Sequence, residues 1–313
     1  MVIGSSIPSA SYEDIEIIFP TLERRINKGD MGRVLCICGS YDPCGSAMCG
    51  AAYFSAAAAY KCGAGIVEIF THRKNYEALA SLSPEAVYSL YDTEKEQLDD
   101  IFHRLADKIS KADSIVIGCG LGKGELAKGL VRLTIETADC PVVIDADGLN
   151  IISEDETLKE LVRARKNDTV LTPHPGEASR ICKKSIPDIL NDTVKAAENI
   201  STDLLSVVLL KDHNTVITDG IHTFINESGN AGMASAGMGD VLAGIIGAVL
   251  ARNTFSDNIN AERAALPSAL YRTATAAYIH GLAGDIAAEE LGEYSLIASD
   301  VIRAVSKVIT PKK

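Results

Sequence analysis

Six short runs, rich in β-branched residues and apolar almost throughout, constrain the fold of this chain more than any other feature. They are RVLCIC at 33–38, GIVEIF at 65–70, SIVIG at 114–118, PVVID at 141–145, TVLTP at 169–173 and SVVLLK at 206–211. They do not alternate apolar with polar, which is the pattern of strands covered on both faces of a parallel sheet. Helical periodicity fills the gaps at 46–61, 94–110, 124–137 and 188–205. Beyond 211, NTVITD and IHTFIN flank Gly220 and read as a hairpin, and the chain after 240 reads helical, ending with 297–309. No linker, repeat or low-complexity tract interrupts the alternation. The pattern predicts a three-layer α/β/α fold on a mostly parallel sheet, with residues 31–313 as a single domain and 1–30 as an extension lying on it.

Composition narrows the classes of function. Of 313 residues, 47% are apolar and 23% charged, ample for a core. Thirty Lys plus Arg against 42 Asp plus Glu give a net charge of −12, the wrong sign for nonspecific nucleic-acid or anionic-membrane binding. The chain has no Trp, which argues against base-stacking platforms. The longest apolar run, 241–251, is far shorter than the roughly 20 residues a spanning helix needs. The N-terminus lacks a basic region followed by an apolar one, so a soluble cytoplasmic protein is expected. Eight cysteines without a CxxC pair, and six scattered histidines, predict reduced, mostly buried thiols in a reducing compartment. Cys36, Cys38, Cys119 and Cys182 lie in strand-like stretches; Cys44 and Cys49 form the one pair of interest.

In a parallel sheet, ligands bind beyond the carboxyl ends of the strands. Glycine and polar residues gather there: GSYDPCGSAMCG, GCGLGKGE, DADGLN, TPHPGE and KDHNT follow the first, third, fourth, fifth and sixth runs. The strongest segment is NESGNAGMASAGMGDVLAGIIGAVLA, 226–251. Its glycines, including Gly237 and Gly239 around Met238, make a loop running into an apolar helix near Asp240, and backbone N–H groups at such a helix start form an anion site. Asp240 reads either as a helix-start residue or as a base taking a proton from a substrate hydroxyl while the loop holds a phosphoryl group.

The other segments leave alternatives open. Gly118, Gly120 and Gly122 follow a strand, but G-x-G-x-G on the third strand is a weak dinucleotide fingerprint and equally a tight turn. Asp145 and Asp147 suit Mg²⁺, a ribose or a helix cap. His174, held between Pro173 and Pro175, reads as functional, and Glu177 as a cap or a metal partner. Lys211 ends a buried strand, placed to meet a phosphate or simply to reach solvent. Lys61 and Lys123 read as surface.

Taken together, GNAGMASAGMGDVLAGIIGAVLA, TPHPGE, PVVIDADGLN, NKGDMGRVLCICGS and GAAYFSAAAAYKCGAGIV resemble the NAD(P)H-hydrate dehydratases of the ribokinase-like superfamily, in order over about residues 28–309. The resemblance implies a ribokinase-like fold and phosphorylation of the C6 hydroxyl of S-form hydrated NADH or NADPH by ADP (ATP in eukaryotic members). Loss of phosphate then restores the cofactor and leaves AMP. It also implies Mg²⁺, a homotetramer and a separate epimerase acting in the same repair pathway. By motif it places Asp240 as base and hydrate contact and Ala51, Gly122 and His174 as further hydrate contacts. The nucleotide falls to Lys211, Asp212, His213, Asn214, Thr215 and Gly239, with Gly237, Met238 and Gly239 as the anion loop. No metal ligand set is assigned; Glu177 is the candidate. The chain departs from the family pattern at Cys119 (usually Pro), at Met238 (usually Ser or Thr), at Asp212 and in a longer 39–50 stretch. Rival readings are a vitamin-precursor kinase of the hydroxyethylthiazole or hydroxymethylpyrimidine type and a non-catalytic nucleotide-binding protein.

Overall fold

The computed structural model describes residues 8–42, 46–252 and 268–310. Eleven strands are present among them: β1 (Arg33–Ile37), β2 (Tyr41–Asp42), β3 (Ser46–Ala47), β4 (Ile66–His72), β5 (Val87–Tyr91), β6 (Ser114–Ile117), β7 (Val142–Ile144), β8 (Thr169–Leu171), β9 (Val207–Leu210), β10 (Thr215–Thr218) and β11 (Thr223–Asn226). Nine of them form one sheet in the order β11-β10-β9-β8-β7-β6-β1-β4-β5. It is parallel from β5 through to β9, and only β10 runs against both neighbours. The three-layer, mostly parallel fold is as expected.

The continuous apolar runs feed two cores at once because successive strand residues face opposite ways. Val34 and Cys36 of β1 join one buried cluster with the helices Cys49–Lys61, Met238–Ala251, Ser268–Leu291 and Ala298–Ile309. Leu35 and Ile37 join the other, with Leu98–Ile109, Glu125–Thr137 and Thr193–Leu204. Small residues set the spacing of the first layer. Gly247 O accepts from Ser114 Oγ at 2.6 Å, and a Cβ on Gly244 would sit 2.1 Å from Ser55 O. Gly244→Ala gains about 1 kcal/mol of helix propensity but forces the Cys49–Lys61 helix away, a strain of about 1–3 kcal/mol or more. The expected outcome is a lower melting temperature, read by thermal denaturation.

Several local expectations are corrected. The helix expected over 46–61 begins at Cys49, because Ser46 and Ala47 pair with Asp42 and Tyr41. The stretch 188–205 is two helices: Asp192 ends the first, and its side chain accepts from Lys195 N at 2.9 Å to cap the second. Cys182 ends the helix Pro175–Cys182 and is not in a strand. β5 escapes the apolar-run pattern because it is an edge strand with an exposed Val87 and half-buried Tyr88 and Leu90. Among the described cysteines all are free; Cys44 lies outside the described residues. The helix Tyr12–Ile18 packs Ile15 and Ile18 into the first core, and Tyr271 Oη donates to Asp14 Oδ1 at 3.0 Å. No described helix is long and apolar enough to cross a membrane.

Candidate active site

Four neighbouring strands deliver the site, and backbone bonds continue past their ends. Asp145 N donates to Ile117 O (3.1 Å), Thr172 N to Ile144 O (3.2 Å) and Lys211 N to Pro173 O (2.8 Å). These bonds hold the residues after β6, β7, β8 and β9 in register. Gly118 is required there: its φ is +113°, and a Cβ would lie 2.0 Å from Asp145 O. Ala146, at φ 49° and ψ −116°, carries backbone strain of about 1–3 kcal/mol between Asp145 and Asp147.

An ion pair lies at the centre. Lys211 Nζ is 2.8 Å from Asp145 Oδ1 and 4.0 Å from Glu177 Oε2, and both carboxylates are buried. The other oxygen of Asp145 faces the buried Cys119 thiol at 3.9 Å. Cys119, Asp145 and Asp240 place one ligand atom each within 4.8 Å of one another. The helix Met238–Ala251 opens on Gly237, whose φ of +92° suits glycine. A Cβ on Gly239 would stand 3.4 Å from Lys211 Nζ and 3.5 Å from Asp145 Oδ2, so the first turn of this helix lies directly on the ion pair.

Burial and like charge shift the titration of the acids. Asp240 is pushed up to about 6, chiefly by burial and then by the charge of Asp145, against a contact from the Cys119 thiol and the Lys211 charge. Glu177 is pushed up to about 7, again by burial first, with Lys211 opposing. Burial acts to lower Lys211, but Asp145 and Glu177 outweigh it and hold the ammonium above its usual range. Carboxylates shifted in this way beside a lysine mark a site suited to proton transfer.

The expected residues fall into four clusters, with Glu177 shared between two. Asp240, Gly239, Met238, Gly237, Lys211 and Glu177 converge. Gly122 and Asp147 are joined, since Gly122 N donates to Asp147 Oδ2 at 2.8 Å, and Ala51 borders the same turn, 2.8 Å from a Cβ built on Gly120. His174 and Glu177 cap the helix Pro175–Cys182 reciprocally: Gly176 N donates to His174 Nδ1 (3.0 Å) and His174 N to Glu177 Oε2 (2.9 Å). Capping and a place beside Lys211 thus coexist in Glu177. Asp212, His213 and Asn214 form a bend ahead of Thr215, whose hydroxyl donates to Asp212 O at 3.1 Å; His213 is largely exposed there. Lys61 and Lys123 are exposed, as expected. The pairing of Asp145 with Lys211 across 66 residues has no local signal, and sequence reasoning missed it. It also missed the half-buried His280, whose ring Nε2 is shielded from solvent and whose pKa is pushed down to about 4, by burial first and then by Lys211.

A glycine loop and helix start laid over a lysine and a half-buried aspartate, at the carboxyl edge of a parallel sheet, define the ribokinase-like class of phosphoryl-transfer folds. The model of the NAD(P)H-hydrate dehydratase family matches residues 34–307, and the chain belongs to that family. A bifunctional NAD(P)H-hydrate repair enzyme from Coxiella burnetii is 35% identical over 298 residues, covering 94% of this chain and 54% of the relative. The ADP-dependent (S)-NAD(P)H-hydrate dehydratase of Neisseria meningitidis is 38% identical over 206 residues, 64% of each chain. The chain thus spans about half the length of the bifunctional relative. The ADP/ATP-dependent NAD(P)H-hydrate dehydratase of Bacillus subtilis, co-crystallised with ATP/Mg²⁺, superposes with a TM-score of 0.78 at 25% identity, covering 97% of this chain and 98% of that one.

Proposed function

We propose that this chain converts the S form of hydrated NADH or NADPH to the intact cofactor with ADP as phosphoryl donor. The observation that carries the reading is the Asp240 carboxylate, held beside the Lys211–Asp145 pair in the first turn of a glycine-led helix. The C6 hydroxyl oxygen of the hydrate attacks the β-phosphorus of ADP as Asp240 accepts the hydroxyl proton, and the bond to AMP breaks. Phosphorylation turns a poor leaving group into a good one. The C6–O bond then breaks, phosphate departs, a C5 proton is lost and the C5–C6 double bond returns. Backbone N–H groups at 237–239 and the Lys211 ammonium hold the transferring group, while Ala51, Gly122 and His174 line the hydrate side. No covalent nucleophile is needed, and the buried thiol of Cys119, held well above its usual range by Cys38, burial and the neighbouring aspartates, is not poised to be one.

Asp145 and Glu177 supply hard oxygen donors around one lysine, a pair that fits a nucleotide-bound Mg²⁺ and leaves Asp240 free as the base. When bound, that ion neutralises phosphate charge. A homotetramer in the cytoplasm and an epimerase supplying the S form complete the reading, the latter supported by the bifunctional relatives.

The test is recovery of NADH absorbance from its S hydrate with Mg²⁺ and either ADP or ATP. Recovery with ADP and release of AMP and phosphate are expected; nucleotide binding without recovery would overturn the reading. The rate also carries a pH signature. Asp240 must be ionised to act as base, and its raised pKa means protonation sets in as pH falls through about 6. The acid limb of kcat/KM is therefore expected near pH 6, about two units above an ordinary aspartate, and a limb near 4 would contradict it.

A further inference from the structure

The long helix Ser268–Leu291 grips the loop that leads to the anion site, through residues that no expected role had used. Asp285 is the centre of the grip: Gly229 N donates to its Oδ2 and Asn230 Nδ2 to its Oδ1, both at 3.0 Å. Asn230 in turn caps the next turn, its Oδ1 accepting from Gly232 N at 3.0 Å. Two glycines on the same helix let the loop lie close. A Cβ on Gly281 would stand 2.0 Å from Ser228 Oγ, and one on Gly284 2.2 Å from Met233 Sδ. Ser228 Oγ also donates to Tyr278 O at 3.3 Å. The far end of the loop is fixed too: a Cβ on Gly237 would meet the Phe54 ring at 2.7 Å and Ala298 at 3.0 Å. Between these anchors Ala234, Ser235 and Ala236 carry no large side chain to hold them, and Ser235 and Ala236 are exposed. The conformation of the stretch is therefore set at its two ends.

We infer that Asp285, paired with Asn230, is a positioning residue that presents the 237–239 backbone to the nucleotide phosphate. It touches no reacting atom. Its two oxygens accept two loop donors whose loss would free the incoming end of the cradle while leaving the hydrate side, built on Ala51 and Gly122, in place. This rests on the reading of 237–239 as the phosphate cradle.

The experiment uses the full chain and compares Asp285→Asn, Asn230→Asp and the double exchange. Calorimetry measures ADP and the S hydrate of NADH, and steady-state kinetics separate KM from kcat. In Asp285→Asn one amide N–H₂ must face a loop donor, so ADP affinity is expected to fall about tenfold, the size of one lost charge-assisted hydrogen bond. The hydrate affinity is expected to hold. The double exchange swaps the two side chains, so that the amide stands on the helix and the carboxylate on the loop. The helix amide then donates to the loop carboxylate while its oxygen still accepts from Gly229 N, and the loop carboxylate still caps Gly232. ADP affinity and its KM are therefore expected to return. Unchanged ADP affinity in Asp285→Asn, an equal loss for both ligands, or a double exchange that recovers nothing would each overturn the inference. If Asp285→Asn fails to fold, Asn230→Ala removes that side-chain bond from the loop side together with the Gly232 cap, and the same selective loss of ADP affinity is expected. Gly239→Val serves as the separate arm: unchanged ADP affinity there would refute the cradle reading itself, whatever Asp285 does.

Discussion

Asp240→Asn is expected to lower kcat by a factor of about 10²–10⁴, the contribution typical of a positioned general base, while ADP affinity changes little. The amide keeps the shape of the first helical turn but cannot take the hydroxyl proton. Stability supplies the control. The folded-state pKa of Asp240 is raised to about 6 from an ordinary 3.8, so its ionisation costs the folded state stability as pH rises through that range. The asparagine variant should therefore melt no lower than the parent at pH 5 and higher at pH 8. Turnover within tenfold of the parent would remove Asp240 from the role of base. A melting temperature that falls with activity at pH 8 would point instead to a packing defect.

Lys211→Met is expected to have the second large effect, on two readouts at once. The substitution leaves Asp145 almost fully buried with its Oδ1 partner gone, and breaking a buried pair from one side costs about 3–5 kcal/mol. ADP binding should weaken as well, because the ammonium beside Gly239 is lost. Adding Asp145→Asn separates the two. The double variant should recover much of the stability, since no buried charge is then left without its partner at that position, but none of the ADP affinity. Chemical denaturation and calorimetry on the three proteins measure both effects. Restoration of ADP binding by the second change would mean that Lys211 serves only to balance Asp145.

Much of this architecture is legible in local pattern. Apolar runs such as SIVIG and PVVID must be covered on both faces, and that requirement fixes a parallel sheet with helices above and below. The same logic points to the candidate site, because glycine and polar residues recur just past those runs. It fails where the pattern is weak or the partner distant. β5 sits at an edge, where one side need not be apolar. The 46–61 stretch carries helical composition, yet Ser46 and Ala47 pair back on Tyr41 and Asp42. Asp145 reads as a ligand, a ribose contact or a cap with equal ease until the sheet sets it 2.8 Å from Lys211.

The candidate site residues are thus legible in the sequence itself: the glycine-led helix start with Asp240, the Asp145 and Asp147 pair, the His174–Glu177 turn and Lys211 at a strand end. Their charge states were not. Burial and the approach of Asp145 raise Asp240, desolvation raises Glu177, and Asp145 and Glu177 keep Lys211 protonated. Likewise, the HGLAGD stretch of the long helix reads locally as nothing more than helix. Only its packing against 228–233 turns two glycines and Asp285 into the anchor of the loop. The physical reason is common to both cases. Propensity and patterning act over a few residues, whereas desolvation and Coulomb interactions depend on which groups the fold brings within about 4 Å of one another.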